Sequence, residues 1–179
     1  IILSHCHLDH SVDVNIMVEA MTQGGFKRRG RLFAPADALG NEPVIFSYLR
    51  EYLDGIEVLE EGKTYTVDNT SFTTPVRHVH PVETYGIVFR TEKHTFSLIT
   101  DSRYFDGLSR YSGSDLLILN VVFLGRRAPS NHPKMPMDHL SVPDAERLIK
   151  ELKPKAAILT HFGMNLWRAK PWKIARRLT

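Results

Sequence analysis

Residues 4 to 11 read Ser-His-Cys-His-Leu-Asp-His-Ser, and this octapeptide constrains the chain more than any other stretch. It places three histidines and an aspartate within six residues, directly after the apolar run Ile1-Ile2-Leu3. Residues 1 to 3 read as a short buried strand, and in a strand side chains i and i+2 share a face. His5 and His7 then point the same way, while Cys6 points to the other side as a small packed residue. The strand must end after Leu8, because Asp9 and His10 are adjacent and polar, and a helix follows within a few residues. Asp9 and His10 fall in the tight turn before it, aimed back over the strand end. Four donors from so short a stretch do not all reach one tetrahedral ion. They can serve two ions, His5 and His7 on one, Asp9 and His10 on the other. Histidine and aspartate suit zinc, manganese or iron, and the lack of thiolate argues against a closed structural zinc site.

Two ions need about seven or eight donors in all, so more must come from a distance. Three later positions share one feature, a potential ligand at the end of a β segment. Ser97 to Thr100 leads into Asp101, Ala157 to Thr160 leads into His161, and Thr74 to Val76 leads into His78 and His80. A sandwich of two sheets gathers such strand ends on one rim.

The rest of the chain alternates helical and extended patterns. Helical spacing recurs over Val12 to Met21, closed by Gly24-Gly25, and over 43 to 53 with Ile45, Leu49 and Leu53 inward. Short strands are expected at 31–34, 56–59, 64–67, 71–76, 85–90, 95–100, 116–122 and 156–160. Residues 125 to 138 read as a loop with Pro129, Pro133 and Pro136. Ser141 caps a helix to Leu152 with Pro143 in its first turn, and a short helix closes the chain over 172 to 178. Helices and strands are thus mixed along the whole length, without repeats or linkers. The expectation is one α/β or α+β domain over 1–179.

Composition narrows the setting. The chain is 42% hydrophobic and 24% charged, ordinary for a globular protein. No apolar run approaches the ~18 residues of a membrane span, and no signal-peptide pattern is present. One cysteine excludes an internal disulfide framework and fits a reducing cytoplasm. The net charge is +3, with basic bunches at Lys27-Arg28-Arg29, at Arg126-Arg127, and from Arg168 to Arg177. These read as solvated faces, or as a rim that draws in phosphorylated or other anionic substrates. The chain opens at Ile1 in mid-strand, which suggests that an N-terminal part lies outside this sequence.

The motif "SHCHLDH" is similar to the H-x-H-x-D-H signature of the metallo-β-lactamase superfamily. "LITD" at 98–101 resembles that superfamily's strand-end aspartate, and "LTHFG" at 159–163 its final histidine. The resemblance runs over essentially the whole chain in matching order. It implies an αββα sandwich, here without its N-terminal strands, and a site for two divalent ions, zinc first, with manganese or iron as alternatives. Carried over, His5, His7 and a histidine of the 78–80 pair hold one ion. Asp9, His10 and His161 hold the second, and Asp101 bridges them. "HPVETYG" at 80–86 resembles the phosphodiesterase-like branch, which selects His80 and leaves His78 to position a neighbour.

What the resemblance implies for activity is hydrolysis by a hydroxide that bridges the two metals, with Asp9 orienting it. "MDHLSVPDAERL" resembles an element of ribonuclease Z-like phosphodiesterases, and there His139 contacts the scissile phosphate or protonates the leaving group. His94 and His132 have no comparable context and read as surface residues. Asp101 stands where β-lactamases of this fold use a cysteine, and His7 where the flavodiiron branch has a glutamate. Only 18 residues follow His161, too few for the helical domain of glyoxalase II-like thioesterases. No insertion like the tRNA-gripping arm of ribonuclease Z lies between His80 and Asp101. The expected partner is a small-molecule or phosphodiester substrate, with nucleic acid weakly indicated and no membrane. The alternatives are a non-catalytic metal- or nucleic-acid-binding module of the same fold, and a hydrolase of other esters, thioesters or amides.

Overall fold

A computed structural model describes residues 1–126 and 137–178. The chain falls into two compact units, one of Ile1–Glu60 with Val82–Tyr85 and one of Glu61–Pro81 with Gly86–Thr179. The expected loop at 125–138 falls mainly outside the described residues, with Arg127 and His132. No helix among the described residues is long and apolar enough to cross a membrane.

In the first unit, β1 (Arg31–Ala34) pairs in parallel with β2 (Gly55–Val58). The strand expected at 1–3 contributes a single parallel bridge, Ile2 to Phe33. The Leu3 amide donates to the Phe33 carbonyl at 2.8 Å and the Phe33 amide to Ile1 at 3.0 Å. Helix α1 (Leu8–Ser11) starts at once after His7. Asp9 and His10 therefore sit on the first helical turn itself, not in a turn before it. Helix α2 (Val14–Thr22) buries Val14, Val18 and Thr22, spaced i, i+4 and i+8, which is one helical face. Val12, Ile16 and Met17, part of the same apolar pattern, are exposed.

The helix expected over 43–53 shrinks to α3 (Ser47–Arg50). Asn15 explains its late start, since its amide donates to the Val44 carbonyl at 2.8 Å and its oxygen accepts from the Phe46 amide at 3.0 Å. Asp54 explains its early end. Its amide donates to the Gly30 carbonyl at 2.9 Å and its carboxylate accepts from the Gly30 amide at 2.7 Å, which turns the chain into β2. Ile45, Leu49 and Leu53 are still buried, together with Leu3, Val14, Val18 and Leu32.

Among the described residues the second unit has seven strands, β3 (Thr64–Val67), β4 (Thr70–Thr73), β5 (Ile87–Arg90), β6 (Thr95–Ile99), β7 (Leu116–Phe123), β8 (Leu140–Ser141) and β9 (Ala156–Thr160). Neighbours from β3 to β6 are antiparallel. Strands β6, β8 and β9 all pair with β7 in parallel. Helices α4 (Val142–Leu152), α5 (Met164–Arg168) and α6 (Pro171–Ala175) complete the unit. Helix α4 opens with the anticipated cap. The Ser141 hydroxyl accepts from the Asp144 amide, and the Asp144 carboxylate accepts from the Ser141 amide at 3.0 Å. Its Ala145, Leu148 and Leu152 pack on Leu117, Leu119 and Val121 of β7 in one core with Ile99 and Tyr111. Burial of each such leucine contributes about 1.5–3 kcal/mol.

Candidate metal centre

The octapeptide folds back on itself within the first unit. The His5 and His7 rings stand edge to face with centroids 5.0 Å apart. The His10 ring lies 4.1 Å from that of His5, and His10 Nε2 is 3.6 Å from an Asp9 carboxylate oxygen. The Ser11 hydroxyl donates to the Cys6 carbonyl at 3.2 Å and fastens α1 to the segment before it. Cys6 Sγ turns instead toward Asp37, 3.7 Å away. Burial, and next the Asp37 carboxylate, push that thiol's pKa up. A thiolate ligand is thereby disfavoured, and the donors left are imidazole and carboxylate.

Parallel pairing makes the cluster of the second unit. Ile99 of β6 is in register with Leu119, and Thr160 of β9 with Asn120. The residues that follow β6 and β9 therefore leave the sheet at one edge, beside Asn120. Asp101, two residues past β6, and His161, the first past β9, lie on those segments. His161 Nε2 lies 3.7 Å from one Asp101 oxygen. Strand β8 pairs with the end of β7, which brings His139 to the same edge with its Nδ1 3.6 Å from the other Asp101 oxygen. Asp101, His139 and His161 each offer a donor atom within 4.8 Å of the others. His80 Nε2 approaches the Asp101 carboxylate to 3.8 Å.

Neighbours fix these groups in place. The Asn120 amide donates to Asp101 Oδ1 at 2.9 Å. His80 Nδ1 lies 3.0 Å from the Asp138 carbonyl, and a carbonyl can only accept. The ring proton therefore sits on Nδ1, and the Nε2 lone pair is presented to the cluster. His161 has φ +62°, a left-handed backbone that costs a non-glycine residue roughly 1–2 kcal/mol. Gly163, two residues on, packs so closely on β7 that a Cβ there would meet the Val122 carbonyl at 2.7 Å.

His78 is occupied elsewhere. Its Nδ1 donates to the Asp101 carbonyl at 3.2 Å, and its Nε2 accepts from the Tyr111 hydroxyl at 2.9 Å. Burial is the main cause that lowers its pKa to about 4, so the ring is neutral and holds the Asp101 backbone. His94 is exposed near Asp115, 3.8 Å away, and takes no part in the cluster.

The groupings thus hold the expected residues within each unit: His5, His7, Asp9 and His10 in the first, and His80, Asp101, His139 and His161 in the second. Asn120, Tyr111 and Asp138 were not anticipated. Asn120 had a signal, as the one polar residue in an apolar run from Leu116 to Val122.

A cavity of about 300 Å³ lies beside His139, lined by Arg103, Tyr104, Phe123, Arg126, Asp138, Asp144 and Arg147 among others. It is at the lower end of the ~300–1,000 Å³ usual for small-molecule sites.

Comparison with known proteins places this arrangement. The chain is 31% identical over 174 residues to "Uncharacterized protein MJ1374" of Methanocaldococcus jannaschii, covering 92% of this chain and 62% of that one. It is 25% identical over 174 residues to "Probable metallo-hydrolase YhfI" of Bacillus subtilis, covering 92% and 67%. The chain thus spans roughly two thirds or less of the length of these relatives. The crystal structure of YhfI superposes with a TM-score of 0.79 at 23% identity, over 99% of this chain and 70% of that one. A diphosphatase from the PhnP family superposes with a TM-score of 0.66 at 20% identity, over 90% and 59%. The family model described as "Beta-lactamase superfamily domain" matches residues 1–162. With that match over most of its length, the chain belongs to the β-lactamase superfamily and has the metallo-β-lactamase fold.

Proposed function

We propose that this protein is a dinuclear metal-dependent hydrolase of phosphodiesters or related anionic esters. The observation that carries the reading is the grouping of His80, His139 and His161 around the Asp101 carboxylate. The His80 and His161 imidazoles beside one carboxylate fit zinc, manganese or iron, and His139 stands at the same carboxylate. His5, His7 and His80 would hold one ion, Asp9, His10 and His161 the second, and Asp101 would bridge them. Two divalent ions held there would supply Lewis acidity and would lower the pKa of a bound water toward neutrality.

The chain's own groups do the rest. Asn120 and His78 hold Asp101 by side chain and by backbone, so its carboxylate keeps one orientation. Asp138 fixes the His80 tautomer. Asp9 would accept a hydrogen bond from the attacking water and orient it. His139 lines the cavity where a substrate sits, and gives a proton to the leaving oxygen as the ester bond breaks. The relatives' names carry the same direction, one a metallo-hydrolase and one a diphosphatase. A single cysteine fits a reducing cytoplasm.

The test is His139→Ala in the metal-loaded protein with bis-p-nitrophenyl phosphate. The reading expects turnover to fall about 10²–10⁴-fold while metal content stays. Full metal loading with no turnover by the wild type on phosphodiesters, thioesters or lactams would instead indicate a binding module.

A further inference from the structure

The cavity beside His139 is rich in directed cationic donors. Arg103 follows the strand-end aspartate by two residues, Arg126 lies just past β7, and Arg147 rises from the second turn of α4. Arg147 is already set in position. Its Nε donates to Glu151 at 2.7 Å, and its guanidinium stacks on the Tyr104 ring with the carbon 4.1 Å from the centroid. The Tyr104 hydroxyl donates to the same glutamate at 3.1 Å. Arg103 Nε stands 3.9 Å from Asp138, too far for a hydrogen bond.

Two carboxylates also line the cavity, so net charge alone does not make it an anion site. One Asp144 oxygen is already engaged, and Asp138 has an arginine beside it. Asp144 takes the Ser141 amide at 3.0 Å and the Ser141 hydroxyl at 2.6 Å, at the start of α4. Asp138 faces Arg103. The guanidinium donors are in excess. Each arginine carries five N–H groups, and among the described residues Arg147 uses Nε alone while Arg126 makes no hydrogen bond or ion pair. Planar forks of this kind match the oxygens of a phosphate bidentately.

We infer that this cavity is a second anion subsite, which holds a terminal phosphomonoester of the substrate on Arg126 and Arg147 with Arg103 at its edge. The substrate is then a small ester with two anionic ends, one cleaved beside His139 and one gripped here. This deepens the hydrolase reading and rests on it for the position of the cleaved bond.

Two measurements on the full chain separate the ideas. The first compares, in the zinc-loaded protein, a p-nitrophenyl phosphodiester whose alkyl arm ends in a phosphate with the same ester ending in a hydroxyl. The ratio of kcat/KM should exceed tenfold in the wild type and fall toward one in Arg126→Ala/Arg147→Ala. A general loss of activity cancels in that ratio. The second measures binding of glycerol 3-phosphate and of glycerol to the chelator-treated chain. The phosphate should bind at least tenfold tighter, and the double substitution should remove the difference. Equal binding of the two, or a difference that survives the double substitution, overturns the subsite. Arginine-dependent glycerol 3-phosphate binding with no turnover of any ester keeps the subsite and sinks the hydrolase reading.

Discussion

The Asn120 side-chain amide donates to Asp101 Oδ1 at 2.9 Å from the middle of a buried parallel strand. Both residues are nearly inaccessible, at 6% and 2% exposure, so water does not replace the bond if it is lost. Partners of this kind hold a ligating group in one orientation, and their removal commonly costs 10–100-fold in metal affinity. Asn120→Ala should therefore weaken zinc binding by about that factor, read by competition with a chromogenic chelator. Unchanged affinity would mean that Asp101 needs no such support.

His78 gives a pH signature of stability. In the unfolded chain the ring takes a proton near its ordinary 6.5, but in the folded chain only near 4. The unfolded state thus binds more protons between those values, and stability rises with pH across the window. The contribution is fully present above 6.5 and is lost as pH falls toward 4. Over the whole window it amounts to about 3 kcal/mol. Urea unfolding of metal-free protein should therefore lose stability more steeply on acidification than the His78→Gln variant does. Parallel slopes would show that the ring is not buried neutral.

Gly86 is pressed against the same histidine. A Cβ at this position would lie 2.4 Å from the Tyr111 hydroxyl, 2.5 Å from the Leu98 carbonyl and 2.7 Å from His78 Nε2. The Leu98 oxygen is backbone of β6 and cannot rotate aside. Gly86→Ala should cost at least about 1–3 kcal/mol, the usual penalty of overpacking, measured by urea midpoint. A midpoint within error of the wild type would contradict the packing described for His78 and Tyr111.

Much of the candidate site was legible because its residues carry local signals. The octapeptide announces itself by density of donors. Asp101 and His161 announce themselves by position, each directly after an apolar extended run. Parallel pairing of β6 and β9 to β7 then brings such positions to one edge. Glycines 86 and 163 were visible as parts of "HPVETYG" and "LTHFG", and close backbone approach gives both their physical reason.

Other features depend on contacts distant in sequence. Helix α3 is short because Asn15 and Asp54 bind the chain on either side of it, and neither residue lies within the helix. The buried face of α2 is Val14 and Val18 rather than Ile16 and Met17, since apolar residues occupy more than one side and periodicity alone does not choose. The arginine-lined cavity is assembled from the end of β6, the end of β7 and the second turn of α4. Singly, those arginines look like ordinary surface charge.

Titration of metal-free protein with zinc or manganese, followed by turnover of bis-p-nitrophenyl phosphate, tests the central claim most directly. The account predicts activity that climbs to a plateau at two equivalents per chain, and an Asp101→Ala variant that reaches no such plateau. A plateau at one equivalent, or an Asp101→Ala variant as active as the wild type, would contradict it.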